Sequence, residues 1–304
     1  MFSDISGRVV STFENPNVLA EYLIMVLPIA AAGFFTAKSA SQRLLFLFAG
    51  GTVGACLIFT WSRGAWLGIL IAMMLFLLMY SKKFLVAGLF GIFAVPFLPF
   101  VLPQSVINRF LSIGNLGDTS TSYRVHIWEG TLNMMRDHFL GGIGVGVEVF
   151  GEIYPRYSLN GVETAPHSHN LYLQIFVETG ILGLILFVVF LFTFVRHNFS
   201  FYAKPLPQKP RLYCAALFCG LLAVLAQGMT DYIWYNYRVY LIFWLLVGLT
   251  VATARAAQTE NRDALEKTEE QAAHIAELEL TPALRPVRQS AEEHTNTEQG
   301  KDTK

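Results

Sequence analysis

His167 and His169 stand one residue apart in the stretch Ala165-Pro166-His167-Ser168-His169-Asn170, directly before a long apolar run that begins at Leu171. Imidazole titrates near neutral pH, so either ring suits removal of a proton from a hydroxyl. Two histidines are also metal ligands, but the sequence shows no third ligand at zinc spacing and no H-E-x-x-H helix. A pair of hydrogen-bonding anchors at the mouth of a membrane helix is the plainer reading of the same residues. A carboxylate follows in Glu178-Thr179-Gly180. The other chemistry-bearing residues are cations. Arg63 sits in Ser62-Arg63-Gly64-Ala65-Trp66-Leu67-Gly68, Arg124 sits four residues before Trp128, and Arg8 lies near the N-terminus. An arginine beside lipid is expensive and by default functional, although Arg63 with Trp61 and Trp66 also fits an interfacial anchor. The run Gly141-Gly142-Ile143-Gly144-Val145-Gly146 lacks dinucleotide-fingerprint spacing and reads as a tight turn that lets backbones approach closely.

The elements that carry these residues are apolar. The 304-residue chain is 54% hydrophobic and 14% charged, against about 25% charged residues in soluble globular proteins, and this deficit points to lipid. Formal net charge is zero, which with the lack of a basic block argues against a nucleic-acid surface. Cys56, Cys214 and Cys219 all fall within apolar runs and read as packing residues. No signal peptide is recognisable from Met1 onward.

A bilayer core of about 30 Å takes roughly 20 apolar helical residues. Seven runs qualify, near 18–37, 44–61, 65–80, 84–102, 171–195, 213–230 and 239–254. None alternates with the period of barrel strands, so the expected fold is an all-α polytopic transmembrane bundle. Pro28 and Pro96 lie inside spans and are expected to kink them. The domain reading is a membrane domain over 1–254, with a large loop at 103–170, and a charged tail over 255–304 that is helical at first and disordered later.

Lys38, Arg43, Lys82, Lys83, Arg196, Lys204, Lys209 and Arg211 fall in three inter-span turns, which the positive-inside rule assigns to the cytoplasm. The opposite side then carries Arg8, Arg63, Arg109, Arg124, Arg136, Arg156 and Arg238 and no lysine. Two explanations stand: retention of lysine inside, or a phosphate site that uses the planar guanidinium fork. This orientation puts the 103–170 loop outside the cytoplasm, the tail inside it, and the N-terminus outside, which suggests further helices upstream.

Several segments in series resemble the O-antigen ligase and polymerase family of bacterial envelope glycan assembly. They are Gly7-Arg8 with Thr12 to Asn17 and Ala20-Glu21-Tyr22, then Ser62 to Gly68, then Arg124 with Trp128, then Gly141 to Gly146, then His167 to Gln174 with Glu178-Thr179-Gly180. The resemblance runs from about Gly7 to Ala254 and rests on the order of the motifs. It implies a C-type glycosyltransferase architecture and an expected metal-independent, cofactor-free transfer of a glycan. The donor it implies is an undecaprenyl-pyrophosphate-linked glycan, and the acceptor is a hydroxyl of a glycan or lipid-linked molecule at the outer face of the cytoplasmic membrane. Family members have about a dozen spans, and only four precede the loop here, which again suggests a short or truncated N-terminal half.

Pyrophosphate is a good leaving group, so such an enzyme needs cations more than an acid. Arg63 and Arg124 are the expected clamp, with Arg8 as a further phosphate ligand. The attacking hydroxyl must lose a proton, and His169, whose His-Asn pair matches the family more closely, is the expected base, with His167 second. Asn170 and Glu178 are expected to support them. One displacement of this kind inverts the anomeric centre. The alternatives are a non-catalytic membrane subunit of an envelope polysaccharide assembly complex and a transporter, the latter disfavoured by spans almost free of charge apart from Glu21.

Overall fold

A computed structural model of the protein describes residues 7–13, 15–84, 103–115, 117–159, 162–204 and 206–298, with side chains described as far as His274, Ile275 and Ala276. Every regular element among them is helical. In chain order these are α1 (Pro16–Thr36), α2 (Ala40–Phe59), α3 (Arg63–Tyr80), α4 (Gln104–Leu111), α5 (Thr119–Asp137), α6 (Val147–Ile153), α7 (Leu171–Tyr202), α8 (Gln208–Gln227) and α9 (Tyr237–Glu298), with single 3-10 turns at Ser11–Phe13 and Tyr154–Arg156. Six of them, α1, α2, α3, α7, α8 and α9, are long and apolar enough to cross a membrane. The expected span at 84–102, with Pro96, lies outside the described residues save for its first residue.

The chain divides into two compact units, Met1–Ala254 and Arg255–Lys304. The second is charged and helical through Glu298. Within the first, α8 is the central post, 72% buried over its apolar window, whereas α2 is only 6% buried. Such depth requires small residues at the contacts. A Cβ on Gly68 of α3 would stand 2.5 Å from the Ala223 carbonyl oxygen of α8, and one on Gly220 would meet the Met25 carbonyl of α1 at 2.5 Å, so α1 and α3 reach α8 backbone to backbone. Leu44 and Phe48 of α2, Leu182 and Leu186 of α7, and Leu241 and Leu245 of α9 are exposed. Such an apolar surface is stable against lipid tails and costly against water.

Local signals start these helices where the sequence places them. Asn15 caps α1 by accepting from Asn17 N, and Pro16 follows at the first helical position, where a missing N–H costs nothing. Ser39 caps α2, Asp118 caps α5, and Asn170 caps α7 through two bonds, from Tyr172 N and Leu173 N. Pro28 sits buried inside α1. Among the described residues, α7 is interrupted at Gly180, which has non-helical angles of φ +70 and ψ −172.

That break is filled by the glycine-rich turn. Ile143 N donates to Val177 O at 2.8 Å, Gly144 N to Glu178 O at 3.0 Å, and Ile181 N to Phe139 O at 2.9 Å. A Cβ on Gly142 would collide with the Glu178 carbonyl, and one on Gly180 with the Leu140 carbonyl. The glycines therefore let two backbones exchange hydrogen bonds where the ordinary helical bonds of α7 are interrupted. The segment from α4 to the turn before α7 is thus mostly helical, with its own core of Ile127, Met134, Phe150, Tyr154 and Val177.

Candidate functional site

Five helix termini meet at one end of the first unit. Arg8 Nε donates to Thr60 O at 2.7 Å, past the end of α2, and its Nη2 donates to Asn17 Oδ1 at 2.8 Å, in the first turn of α1. Leu171 N, at the start of α7, donates to Gly228 O at 2.7 Å, at the end of α8. Arg63 opens α3.

Asp231, in the turn between α8 and α9, is the hub. Its Oδ1 lies 3.0 Å from His169 Nδ1 and accepts from Tyr232 N at 3.0 Å. Its Oδ2 accepts from Asn17 Nδ2 at 3.1 Å and lies 3.6 Å from Arg124 Nη2. Burial favours the neutral acid, but the His169 hydrogen bond and the charges of His169 and Arg124 outweigh it and hold the carboxyl below its ordinary range. An ionised Asp231 selects the tautomer of neutral His169 that carries its proton on Nδ1, so the lone pair is left on Nε2.

His169 is held as well as paired. Its φ is +49, rare for a residue with a Cβ. Its carbonyl accepts from Trp128 Nε1 at 3.4 Å, and its N–H donates to His167 Nδ1 at 3.1 Å. His167 is 5% exposed. Burial, and then the charges of His169 and Arg124, push its pKa down to about 3 against the opposing pull of Asp231. His167 is therefore neutral near pH 7, a backbone acceptor that shapes the turn. Asn170 caps α7 and donates to Met229 O at 2.8 Å. Glu178 does not reach the imidazoles directly. Its Oε1 accepts from Gln174 Nε2 at 2.9 Å, and Gln174 Oε1 accepts at 2.8 Å from the N–H of Ser168, between the two histidines.

The arginines gather on the other side of Asp231 around a cavity of about 290 Å³. Arg8, Arg63, Arg109 and Arg124 line it with Asp231, Trp61 and Trp128. Arg124 and Trp128 reach it together because residues four apart share a face of α5. The two expected clamp residues differ in state. Arg63 Nη1 donates to Ser112 O and Oγ, both at 2.9 Å, and Nη2 to Asp118 Oδ1 at 2.7 Å, Ser120 Oγ at 2.8 Å and Thr121 Oγ1 at 3.2 Å. Burial tends to raise the Asp118 pKa, but the hydrogen bond and charge of Arg63 bring it below its ordinary value. Arg124 Nε, by contrast, is buried with no acceptor among the described residues, while its Nη2 lies 3.6 Å from Asp231 Oδ2.

A second cavity, about 570 Å³, lies on the imidazole side and shares Asn17 and Asp231 with the first. His167, His169 and Asp231 bring one possible ligand atom each within 4.8 Å of one another. The third donor that spacing did not reveal is thus supplied by a turn 62 residues further along the chain. Nδ1 of each ring is already engaged, which leaves the Nε2 atoms for any other ligand.

The bundle places Arg63, Arg124, Arg8, His167, His169 and Asn170 at one end, and Glu178 behind them. Sequence reasoning did not single out Asp231, Asn17 or Gln174 as site residues. Asp231 carried one signal, an acid in a turn among spans that are otherwise nearly free of acids.

Fold and site together define a multi-pass helical membrane protein with a guanidinium-lined cavity beside a histidine–carboxylate pair. Residues 44–188 match the family model described as O-antigen ligase, which supports an assignment to the O-antigen ligase and polymerase family. That family works on lipid-linked glycans in membranes. No curated protein matches the chain.

Proposed function

We propose that this protein transfers a glycan from an undecaprenyl-pyrophosphate carrier to an acceptor hydroxyl at the outer face of the bacterial cytoplasmic membrane. The site end of the bundle faces outward and the tail lies in the cytoplasm on this reading, which the lysines of the inter-span turns support. One observation carries the reading: Asp231 touches both the imidazole of His169 and the guanidinium of Arg124, so a base and an anion-binding cavity meet at a single carboxylate.

The acceptor hydroxyl attacks the anomeric carbon of the donor sugar while His169 Nε2 takes its proton. The bond from that carbon to the diphosphate oxygen breaks, and the configuration inverts. Asp231 keeps Nδ1 protonated and stabilises the imidazolium that forms. Arg124, with Arg8 and Arg63 beside it, offsets the charge on the departing diphosphate. The products are a glycoside and undecaprenyl pyrophosphate, and the imidazolium proton returns to water. His167, Asn170, Gln174 and Glu178 hold the histidine turn.

The test is glycan transfer from undecaprenyl-pyrophosphate oligosaccharide by the protein in lipid nanodiscs. Loss of transfer in His169→Ala and Arg124→Ala, with unchanged insertion and melting temperature, supports the assignment. Normal transfer in both well-folded variants defeats it. Wild-type protein that binds the carrier but never transfers it would favour a non-catalytic subunit.

A further inference from the structure

Among the described residues no lysine or arginine lines the larger cavity, in contrast to the four arginines of its neighbour. Besides His167, His169 and Asp231, its polar groups are Asn15, Asn17, Glu21 and Thr164, with Tyr232 and Tyr235 as its aromatic walls. Glu21 is 2% exposed, and its Oε1 accepts from Gln227 Nε2 at 3.3 Å, so a carboxyl group is held at the floor of the cavity rather than in water. Tyr235 packs on His167 at 4.6 Å between ring centroids, yet remains 50% exposed. A volume of about 570 Å³ falls within the roughly 300–1,000 Å³ of small-ligand sites.

Amide and carboxyl oxygens that alternate with aromatic rings suit a molecule with many hydroxyls and apolar C–H faces. Pyranose rings have both. The same lining offers a carboxylate or phosphate no lysine or arginine among the described residues, and it accommodates an ammonium beside Asp231.

We infer that this cavity is the acceptor subsite, and that it selects a terminal sugar that is uncharged or bears an amino group and excludes acidic and phosphorylated sugars. The inference rests on the glycan-transfer reading and adds to it which side of the histidine the acceptor occupies and what charge it carries. With the acceptor there and the diphosphate among the arginines, the imidazole and Asp231 lie between the two substrates.

Saturation-transfer NMR on the full chain in nanodiscs, with millimolar methyl glucoside, methyl glucosaminide and methyl glucuronide as probes, tests this without any transfer step. Saturation of the first two, at least fivefold above the glucuronide, is expected. Tyr235→Ala should reduce that signal severalfold. Equal or stronger saturation of the glucuronide, or no saturation of any probe, overturns the inference, and the comparison on wild-type protein stands even if a variant fails to fold. Undecaprenyl pyrophosphate binding, read by native mass spectrometry on wild type and Arg124→Ala, separates the two readings. Arg124-dependent carrier binding with no sugar selectivity defeats only the acceptor subsite, whereas absence of carrier binding defeats the glycan-transfer reading as well.

Discussion

His169 Nδ1 and Asp231 Oδ1 lie 3.0 Å apart although 62 residues separate them in the chain. The contact joins the turn before α7 to the turn after α8. It fixes the orientation of an imidazole that would otherwise stand alone. Asp231→Asn, which keeps the shape and loses the charge, should lower kcat for glycan transfer by about 100- to 10,000-fold, the range for an effective general base, with a much smaller change in carrier affinity. A kcat within threefold of wild type would show that the pair is only structural.

Arg63 and Arg124 should respond differently to substitution. Arg63 ties α3 to Ser112, Asp118, Ser120 and Thr121, so Arg63→Ala leaves a partly buried carboxylate with only Arg109 beside it and should cost about 1–2 kcal/mol of stability. Arg124→Ala should lower transfer at least tenfold at a smaller cost in melting temperature. Equal thermal losses in the two variants would contradict this division.

His167 sets the response to acid. Its pKa in the folded protein is about 3, so on acidification below about 6.5 the unfolded chain binds a proton that the folded one refuses. Stability therefore falls progressively from pH 6.5 downward. Asp231, held below its ordinary range, adds its own loss only at much lower pH. The melting temperature of wild type should drop more between pH 7.5 and 5.5 than that of His167→Gln. The reverse order would argue that His167 is charged when folded.

Gln174 links Glu178 to the Ser168 amide. Gln174→Leu removes that support from the strained histidine turn without touching substrate, and a small misplacement of a base is costly. Transfer should fall about 10- to 100-fold, mainly in kcat, with carrier binding retained. A change confined to KM would indicate that the residue acts on binding.

Much of this arrangement was legible in the chain. Apolar runs of membrane length give α1, α2, α3, α7, α8 and α9 directly, because lipid leaves backbone groups no alternative to helix. The arginines and histidines stood out because charge near a span is expensive. The kink in α7 was not legible: prolines drew attention as expected bends, while the break at Gly180 depends on a turn some forty residues upstream. Asp231 was missed for a similar reason, since its partners His169, Asn17 and Arg124 are all remote in sequence. The helices of the 103–170 segment were hidden by polar composition, as amphipathic packing on a neighbour leaves a weaker trace than a membrane span.

The five hydrogen bonds that occupy Arg63 bear on turnover. A diphosphate that draws on this guanidinium displaces Asp118 or its serine and threonine companions, so its capture is an exchange of partners rather than a net gain of bonds. When the spent carrier leaves, the same side chains reclaim the arginine. On the proposed reaction, the protein would thereby hold an internal competitor for its own product, which would keep a long-tailed lipid diphosphate from lingering in the cavity after its glycan had gone.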